Sequence, residues 1–378
     1  MPKLTYTTRL IFNSEVERSR VSETLHMHRF AVNECSKINF GLKKNSIIDL
    51  HKSFYKKFRT ENPQIPSQVV CHAINECLGY YRSIKSNKHK INFPVVKKSL
   101  SMRCTKCSVS YIKGQFRIVT SGPRIKCQPY LYPKLQQMLE TYQFCDPLIN
   151  ERNNEIWISL TFDVPELPVK QDSACGVDLG IRIAAATSEG KFYRDKKFNH
   201  EKRKLRFQKR KLRSAADRGS KTARRQLRKL GRKERNKNLN QTHHLTNKIL
   251  SDSSASVIVL EDLTKLKRNL KKGNPYKNQN SISQVPFYQI RQVLTYKAPL
   301  YGKTVICVDP KYTSQIDHRT GKKDGARKGR RFYCKDGIVL DSDNNAAINI
   351  AKRSKLPVSY LTILDGQVIA DRPYACLL

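Results

Sequence analysis

Cys175–Gly190, CGVDLGIRIAAATSEG, places Asp178 inside an otherwise apolar strand pattern, just ahead of Gly180. The stretch reads as two strands joined tightly. A carboxylate in such a strand is costly unless it is paired or holds a cation. Two further acidic residues lie at the ends of elements downstream. VIVLED, 257–262, is a short buried strand that ends on Glu261, and DSDNNAAINI, 341–350, opens a helix with Asp343 near its start. Asp341 or Ser342 would cap that helix, where negative charge is favoured. Taken singly, each acid is better explained as a cap or a solvated charge. Together, a strand Asp, a strand-end Glu and a helix-start Asp supply the hard oxygen ligands that phosphodiester hydrolysis requires. In that chemistry two divalent ions about 3.5–4 Å apart steady the attacking and leaving oxygens, and Mg²⁺ favours carboxylates plus water.

The charge of the chain points to the same class of partner. Its 378 residues carry 73 Lys+Arg against 31 Asp+Glu, a formal net charge of +42. A compact chain with that excess repels itself unless a polyanion is present, and neutralised phosphates release counterions on binding. Charge alone does not separate an enzyme from a structural RNA-binding protein. No run of apolar residues is long enough to span a bilayer, and MPKLTYTTRLIF, 1–12, lacks the layout of a signal peptide. The 11 cysteines are scattered, which fits reduced thiols in a cytoplasm. Cys104 and Cys107 have the spacing of a metal-ligand pair and Cys127 could join them. No second close pair follows, so zinc is not expected there.

Along the chain, 5–12 reads as a strand. Helices are expected over about 15–38, 45–60 (Ile47, Leu50, Phe54 and Phe58 on one face) and 66–86 (Val70, Ile74, Cys77, Leu78 and Tyr81 at helical spacing). From about 100 to 165 strands return, with a hairpin around Gly114 and an alternating strand in EIWISLTFDV, 155–164. Pro165, Pro168 and the polar residues that follow mark a linker. The expected fold is multidomain α+β. A β-rich domain (1–14 and 100–168) carries a helical insertion (15–99), a mixed α/β domain covers 174–352, and 353–378 is a tail.

At the three acidic stretches the chain resembles the RuvC-type nuclease domain of TnpB proteins, the transposon-encoded relatives of the type V CRISPR effectors. GVDLGIRIAAATSEG, VIVLEDL and DSDNNAAINI look like its three motifs, and YKAPLYGKTVICVDPKYTSQ, 296–315, is similar to the segment before the last motif. The likeness covers roughly 174–352. The preceding strands and helices are similar, less specifically, to the family's wedge and recognition parts. The resemblance implies an RNase H-like fold, a guide RNA from the transposon end, and double-stranded target DNA bearing a short flanking motif. It also implies two Mg²⁺ ions, for which Mn²⁺ can substitute, held by Asp178, Glu261 and Asp343. Asp343 is preferred to Asp341 because Asp343, Asn345, Ala346 and Ala347 match the family's Asp-x-Asn-Ala-Ala; Asn345 is expected to bond locally. The implied function is RNA-guided DNA endonuclease, nucleoid-associated in a prokaryotic cytoplasm. The alternative is an RNA-guided repressor that binds without cutting. A transposase using a Tyr nucleophile ranks low, because His243-His244 are adjacent and not alternating.

The chain departs from the family pattern at 316–340, IDHRTGKKDGARKGRRFYCKDGIVL. Family members commonly carry two CxxC pairs there. This segment has only Cys334, with Asp317, Thr320 and Asp336 about where cysteines would stand. One thiolate and His318 cannot make a four-ligand zinc site, so a zinc-free lobe is expected. Arg330 and Arg331 fall near the family's basic position and are candidates for the scissile phosphate or for RNA.

Between Lys196 and Lys237 about half of the residues are Lys or Arg, over a thin seam of Leu205, Leu212, Leu227 and Leu230. Gly219-Ser220 suggests a turn between two helices, so 196–250 is read as a basic helical insertion. Arg203, Arg206, Arg210, Arg213, Arg224 and Arg228 are the candidate phosphate contacts. Such contacts position a nucleic acid without reading it. Tyr80, Tyr81 and Tyr130 are weaker candidates for stacking on bases.

Overall fold

The computed structural model describes residues 2–42, 46–169, 173–180, 183–263, 286–358, 362–364 and 367–369. It divides into two compact units, Lys3–Val164 and the chain from Pro165 onward.

In the first unit, β1 (Lys3–Ile11) pairs antiparallel with β7 (Glu155–Asp163) along its length. Thr5–Thr161 and Thr7–Ser159 hydroxyl pairs, each 2.9 Å, line one face of that pairing. With β2 (Ser101–Arg103), β3 (Val109–Ile112), β4 (Gln115–Ile118), β5 (Ile125–Pro129) and β6 (Leu148–Arg152), they form a sheet ordered β2-β6-β7-β1-β5-β4-β3. Helix α1 (Glu15–Gly41) starts at Ser14, whose hydroxyl accepts from the Glu17 amide, while Glu17 reaches back to the Asn13 amide at 3.0 Å. The helix expected over 45–60 is split into α2 (Ile47–Leu50), a π-helical turn (His51–Tyr55) and α3 (Lys56–Glu61). Ile47 is the first residue of α2, at the open end of the apolar stripe. Leu50, Phe54 and Phe58 are buried, but Ile47 is 46% exposed, outside the core in which its spacing places it.

The stripe of α4 (Ser67–Ser86) is buried as its periodicity requires, Tyr81 included. Tyr81 is therefore a core residue, its hydroxyl 3.0 Å from the Ser36 carbonyl, and not a free stacking platform. Tyr130 is exposed. A short helix, α5 (Pro133–Thr141), precedes β6. Helices and sheet share one core: Leu25, Val32, Val70 and Ile74 are buried in the same cluster as Met102, Phe116, Ile158 and Leu160. Cys104 and Cys127 lie in it too, while Cys107 is exposed.

The second unit is built on a sheet ordered β10-β9-β8-β11-β12. β8 (Ala174–Asp178), β11 (Val257–Glu261) and β12 (Thr304–Val308) run parallel; the near-continuous apolar runs of β8 and β11 suit strands covered on both faces, whereas β12 is a part-exposed edge. β9 (Ala185–Thr187) and β10 (Phe192–Tyr193) add an antiparallel edge. α6 (Lys196–Asp217) and α7 (Lys221–Asp252) pack as an antiparallel pair, capped by Asp195 and Ser220 and joined at Gly219, whose φ of +96° suits glycine. α8 (Phe287–Lys297) covers the core with α7.

α9 (Ser342–Lys352) lies on β8 at very short range. A Cβ on Gly176 would sit 2.0 Å from the Ala347 carbonyl oxygen and 2.6 Å from the Ala351 nitrogen, so only glycine admits the approach. A small sheet ordered β13-β14-β15-β16-β17 surrounds the start of the same helix, from β13 (Ala326–Lys328), β14 (Arg331–Tyr333), β15 (Val339–Asp341), β16 (Thr362–Leu364) and β17 (Gln367–Ile369). The segment expected as a plain tail thus adds two strands to the lobe. No helix among the described residues is long and apolar enough to cross a membrane.

A candidate carboxylate metal centre

β8 ends on Asp178, and β11, its parallel neighbour, ends on Glu261. The close seating of α9 on Gly176 brings Asp343, in that helix's first turn, to the same edge of the sheet. Asp341 is the cap, accepting from the Asp343 and Asn344 amides at 3.0 and 3.1 Å, which leaves the Asp343 side chain for other work. Asn344 ties the helix to β9 through the Thr187 carbonyl, 3.2 Å away.

Asp178 feels the other two acids. Burial, then the charges of Glu261 and Asp343, push the Asp178 carboxyl up to about 7, against a smaller pull from Arg327 and the Leu179 amide. Asp178 keeps some solvent contact, but most of its surroundings are protein, and that desolvation is what counts. Burial also raises Glu261, with Thr313 and Arg353 opposing. Among the described residues no three His, Cys, Asp or Glu side chains are gathered closely enough to hold one ion as they stand. Two of the acids are engaged by protein partners. Arg327 Nη2 donates to Asp343 Oδ1 at 2.8 Å, and Thr313 Oγ1 donates to Glu261 Oε1. Mutual repulsion and an all-oxygen donor set fit a hard divalent cation, and Asp178, Glu261 and Asp343 are the residues that would hold it.

The segment after β12 braces the site. Thr313 is buried beneath Glu261, and its carbonyl accepts from Asn349 Nδ2 of α9 at 2.9 Å. Asn345 Nδ2 donates to the Ile316 carbonyl at 2.8 Å, while its oxygen accepts from the His318 amide at 2.9 Å and lies 2.8 Å from His318 Nδ1. Asn345 is thus a local bonding residue, as its place in the motif suggests.

In the small lobe, Asp317 and Asp336 converge on Arg319 at 2.7 and 2.9 Å, and Phe332 and Cys334 are buried beside Leu340. Burial and the Asp317 hydrogen bond push the Cys334 thiol up to about 12. The arginine at the acids is not one of the pair that the sequence pattern singles out. Arg330 is paired with Asp341 at 2.9 Å and Arg331 is exposed on β14, whereas Arg327 reaches Asp343. A turn at Gly329, φ +64°, folds β13 back over β14 and aims Arg327 at the site. The glycine of that hairpin is the one sequence signal for it.

Arg203, Arg206, Arg210 and Arg213 on α6, and Arg224 and Arg228 on α7, are exposed. Leu205, Ala216 and Ala223 are buried where the two helices pack, while Leu212, Leu227 and Leu230 lie outside the fully buried set. Lys237 and Lys209 engage the acidic Glu201 and Glu234 across the pair, and the six arginines named above stay exposed.

Residues 158–278 match the family model described as "Probable transposase", and 287–350 match that of a Cas12f1-like TNB domain. The fold is similar to that of Cas12f1 in a cryo-EM structure of its complex with sgRNA and target DNA. The TM-score is 0.57 at 14% identity, over 92% of this chain and 98% of that one. It is also similar to the mini-RNA-guided endonuclease CRISPR-Cas_phi3, at TM-score 0.53 and 12% identity, over 94% and 92%. The chain is a relative of the TnpB-like effectors. A Streptomyces pristinaespiralis protein named "Putative RNA-guided DNA endonuclease" is 30% identical over 188 residues, 47% of this chain and 44% of that one. The match thus spans less than half the length of this curated relative. The two family models meet on either side of the gap between Glu261 and Asp343, so the acids are split between them: Asp178 and Glu261 in the first, Asp343 in the second.

Proposed function

We propose that this chain is an RNA-guided DNA endonuclease that hydrolyses phosphodiester bonds with Mg²⁺ held by Asp178, Glu261 and Asp343. The observation that carries the reading is electrostatic. Three acids from β8, β11 and α9 share one sheet edge closely enough that Glu261 and Asp343 hold up the Asp178 carboxyl. A divalent ion bound there would supply charge stabilisation and an activated water. The chain's own contribution is to present the acids on rigid elements, brace Glu261 through Thr313, and hold Arg327 where a phosphate would approach. The outward basic face of α6 and α7 would follow guide and target phosphates, leaving sequence to guide–target pairing. The name of the Streptomyces relative and the guide RNA and target DNA bound in the Cas12f1 complex support RNA and DNA partners for this chain; a transposon-end origin for the guide is part of the proposal.

The test is cleavage of a plasmid matching the co-purified guide RNA, with its flanking sequence randomised, in Mg²⁺ and in Mn²⁺. Scission lost in Glu261→Ala supports the reading. Target occupancy without scission in either metal would favour the repressor. We also propose that the 316–340 lobe folds without zinc, since Arg319 occupies the two acids that stand near the expected cysteine positions. One equivalent of zinc, removable only with unfolding, would contradict that.

A further inference from the structure

Beside the carboxylates lies a cavity of about 340 Å³ lined by Leu179, Leu260, Glu261, Leu263, Phe287, Tyr288 and Arg291. That volume falls in the range of small-ligand pockets, roughly 300–1,000 Å³. Its wall includes Glu261 itself and Leu179, the neighbour of Asp178, so anything seated in it touches the candidate metal centre. Tyr288 stands 60% exposed on α8. The ring is nonetheless held: Gln292 Nε2 donates to its hydroxyl at 2.8 Å, and the Arg291 guanidinium lies 5.9 Å from its centroid. Arg291 is fixed in turn by Asp262, 3.2 Å away, the residue after Glu261.

We infer that Tyr288 is a stacking shelf for an unpaired nucleobase of the DNA strand whose phosphate enters the carboxylate site. Every base presents a π-face, so an exposed, oriented tyrosine accepts any of them. A guanidinium behind the ring adds a cation next to the strand's backbone. A base seated at Tyr288 is out of the duplex, so the shelf admits a strand only when it is single. The nucleobase is the occupant that both kinds of lining fit: apolar Leu179, Leu260, Leu263 and Phe287, and a held ring with a cation beside it. Tyr288 thereby becomes a substrate-positioning residue that acts on strandedness and not on sequence. The inference rests on the nuclease reading for the identity of the strand, and its test is kept separate from cleavage.

The full chain with its co-purified RNA is incubated in Ca²⁺ with single-stranded oligodeoxynucleotides that carry 5-iodouracil at stepped positions, then irradiated and mapped by mass spectrometry. Cross-linking at Tyr288 is expected, and at the same position in Tyr288→Phe, which keeps the aromatic face. An abasic residue at the cross-linking position should weaken binding to the wild type by roughly 5- to 150-fold, the span of one base–aromatic stack. In Tyr288→Ala the same abasic residue should cost nothing. Cross-links confined to α6 and α7, or an equal abasic penalty in wild type and Tyr288→Ala, would overturn the shelf. Cross-linking at Tyr288 in a chain that never cuts in Mg²⁺ would leave the shelf standing and refute cleavage. Cutting without any cross-link at Tyr288 would do the reverse.

Discussion

Arg327 reaches across from β13 to Asp343, Nη2 to Oδ1 at 2.8 Å, and so places a fixed cation on one of the two acids whose charge Asp178 feels. A guanidinium there competes with a divalent ion for the same carboxylate. Arg327→Met should therefore strengthen Mn²⁺ binding, read by calorimetry, about fivefold; the pair is partly exposed and worth no more than about 1 kcal/mol. Weaker binding in the variant would show that Arg327 helps to build the ion site and does not compete for it.

Asp178 gives a pH dependence of known sign. Its folded carboxyl stands near 7 against an ordinary value of 3.8. Between those values the folded chain holds more protons than the unfolded one, so this residue's contribution to stability falls as pH rises from about 4 through about 7. Asp178→Asn should accordingly abolish cleavage while raising metal-free stability at pH 8 by about 1–3 kcal/mol, an order-of-magnitude figure. Little difference should remain at pH 4. Urea melts in EDTA at the two pH values check this, and a variant less stable than wild type at pH 8 would contradict it.

Gly176 sets the distance between the strand of Asp178 and the helix of Asp343. With 2.0 Å between an added Cβ and the Ala347 carbonyl oxygen, Gly176→Ala must push α9 away. A loss of about 1–3 kcal/mol is expected from overpacking. Mn²⁺ affinity should fall with it, even under conditions where the variant is fully folded by circular dichroism. Unchanged affinity in the folded variant would mean that the two acids do not share an ion.

Thr313 braces Glu261 by one hydroxyl and α9 by its carbonyl. Thr313→Val keeps the shape and the carbonyl but removes the hydroxyl, leaving a buried carboxylate short of a donor at a cost of about 1–3 kcal/mol. Cleavage should drop by about tenfold or more, since about 1.4 kcal/mol is a factor of ten in rate, and Thr313→Ser should restore most of it. Equal activity in the Val and Ser variants would remove Thr313 from the site.

Much of this is legible in the sequence because it rests on local pattern. The alternation of 155–163, the helical stripe of α4 and the apolar runs ending at Asp178 and Glu261 each encode their own burial. Asp343 can be told from Asp341 because one caps the helix while the other faces away, a distinction the motif carries. What the sequence hides depends on long-range geometry. The apolar spacing puts Ile47 in the core, but it does not show that the helix begins there, and as the first residue of α2 Ile47 stands outside. Arg327 meets Asp343 only because β13 folds back at Gly329, and the arginines of that lobe look alike until the hairpin chooses among them. Tyr288 follows a similar rule: its exposure and its Gln292 partner are facts of the folded chain, invisible in the run FYQIRQ.

The most direct measurement is scission of a guide-matched plasmid by the RNA complex across a Mg²⁺ titration, with wild type, Asp178→Asn, Glu261→Ala and Asp343→Asn compared at equal target occupancy. The expected result is Mg²⁺-dependent cutting by the wild type and loss of roughly 100-fold or more (about 2.7 kcal/mol) in every variant while binding persists. Cutting that survives in any one of the three would contradict a shared carboxylate centre.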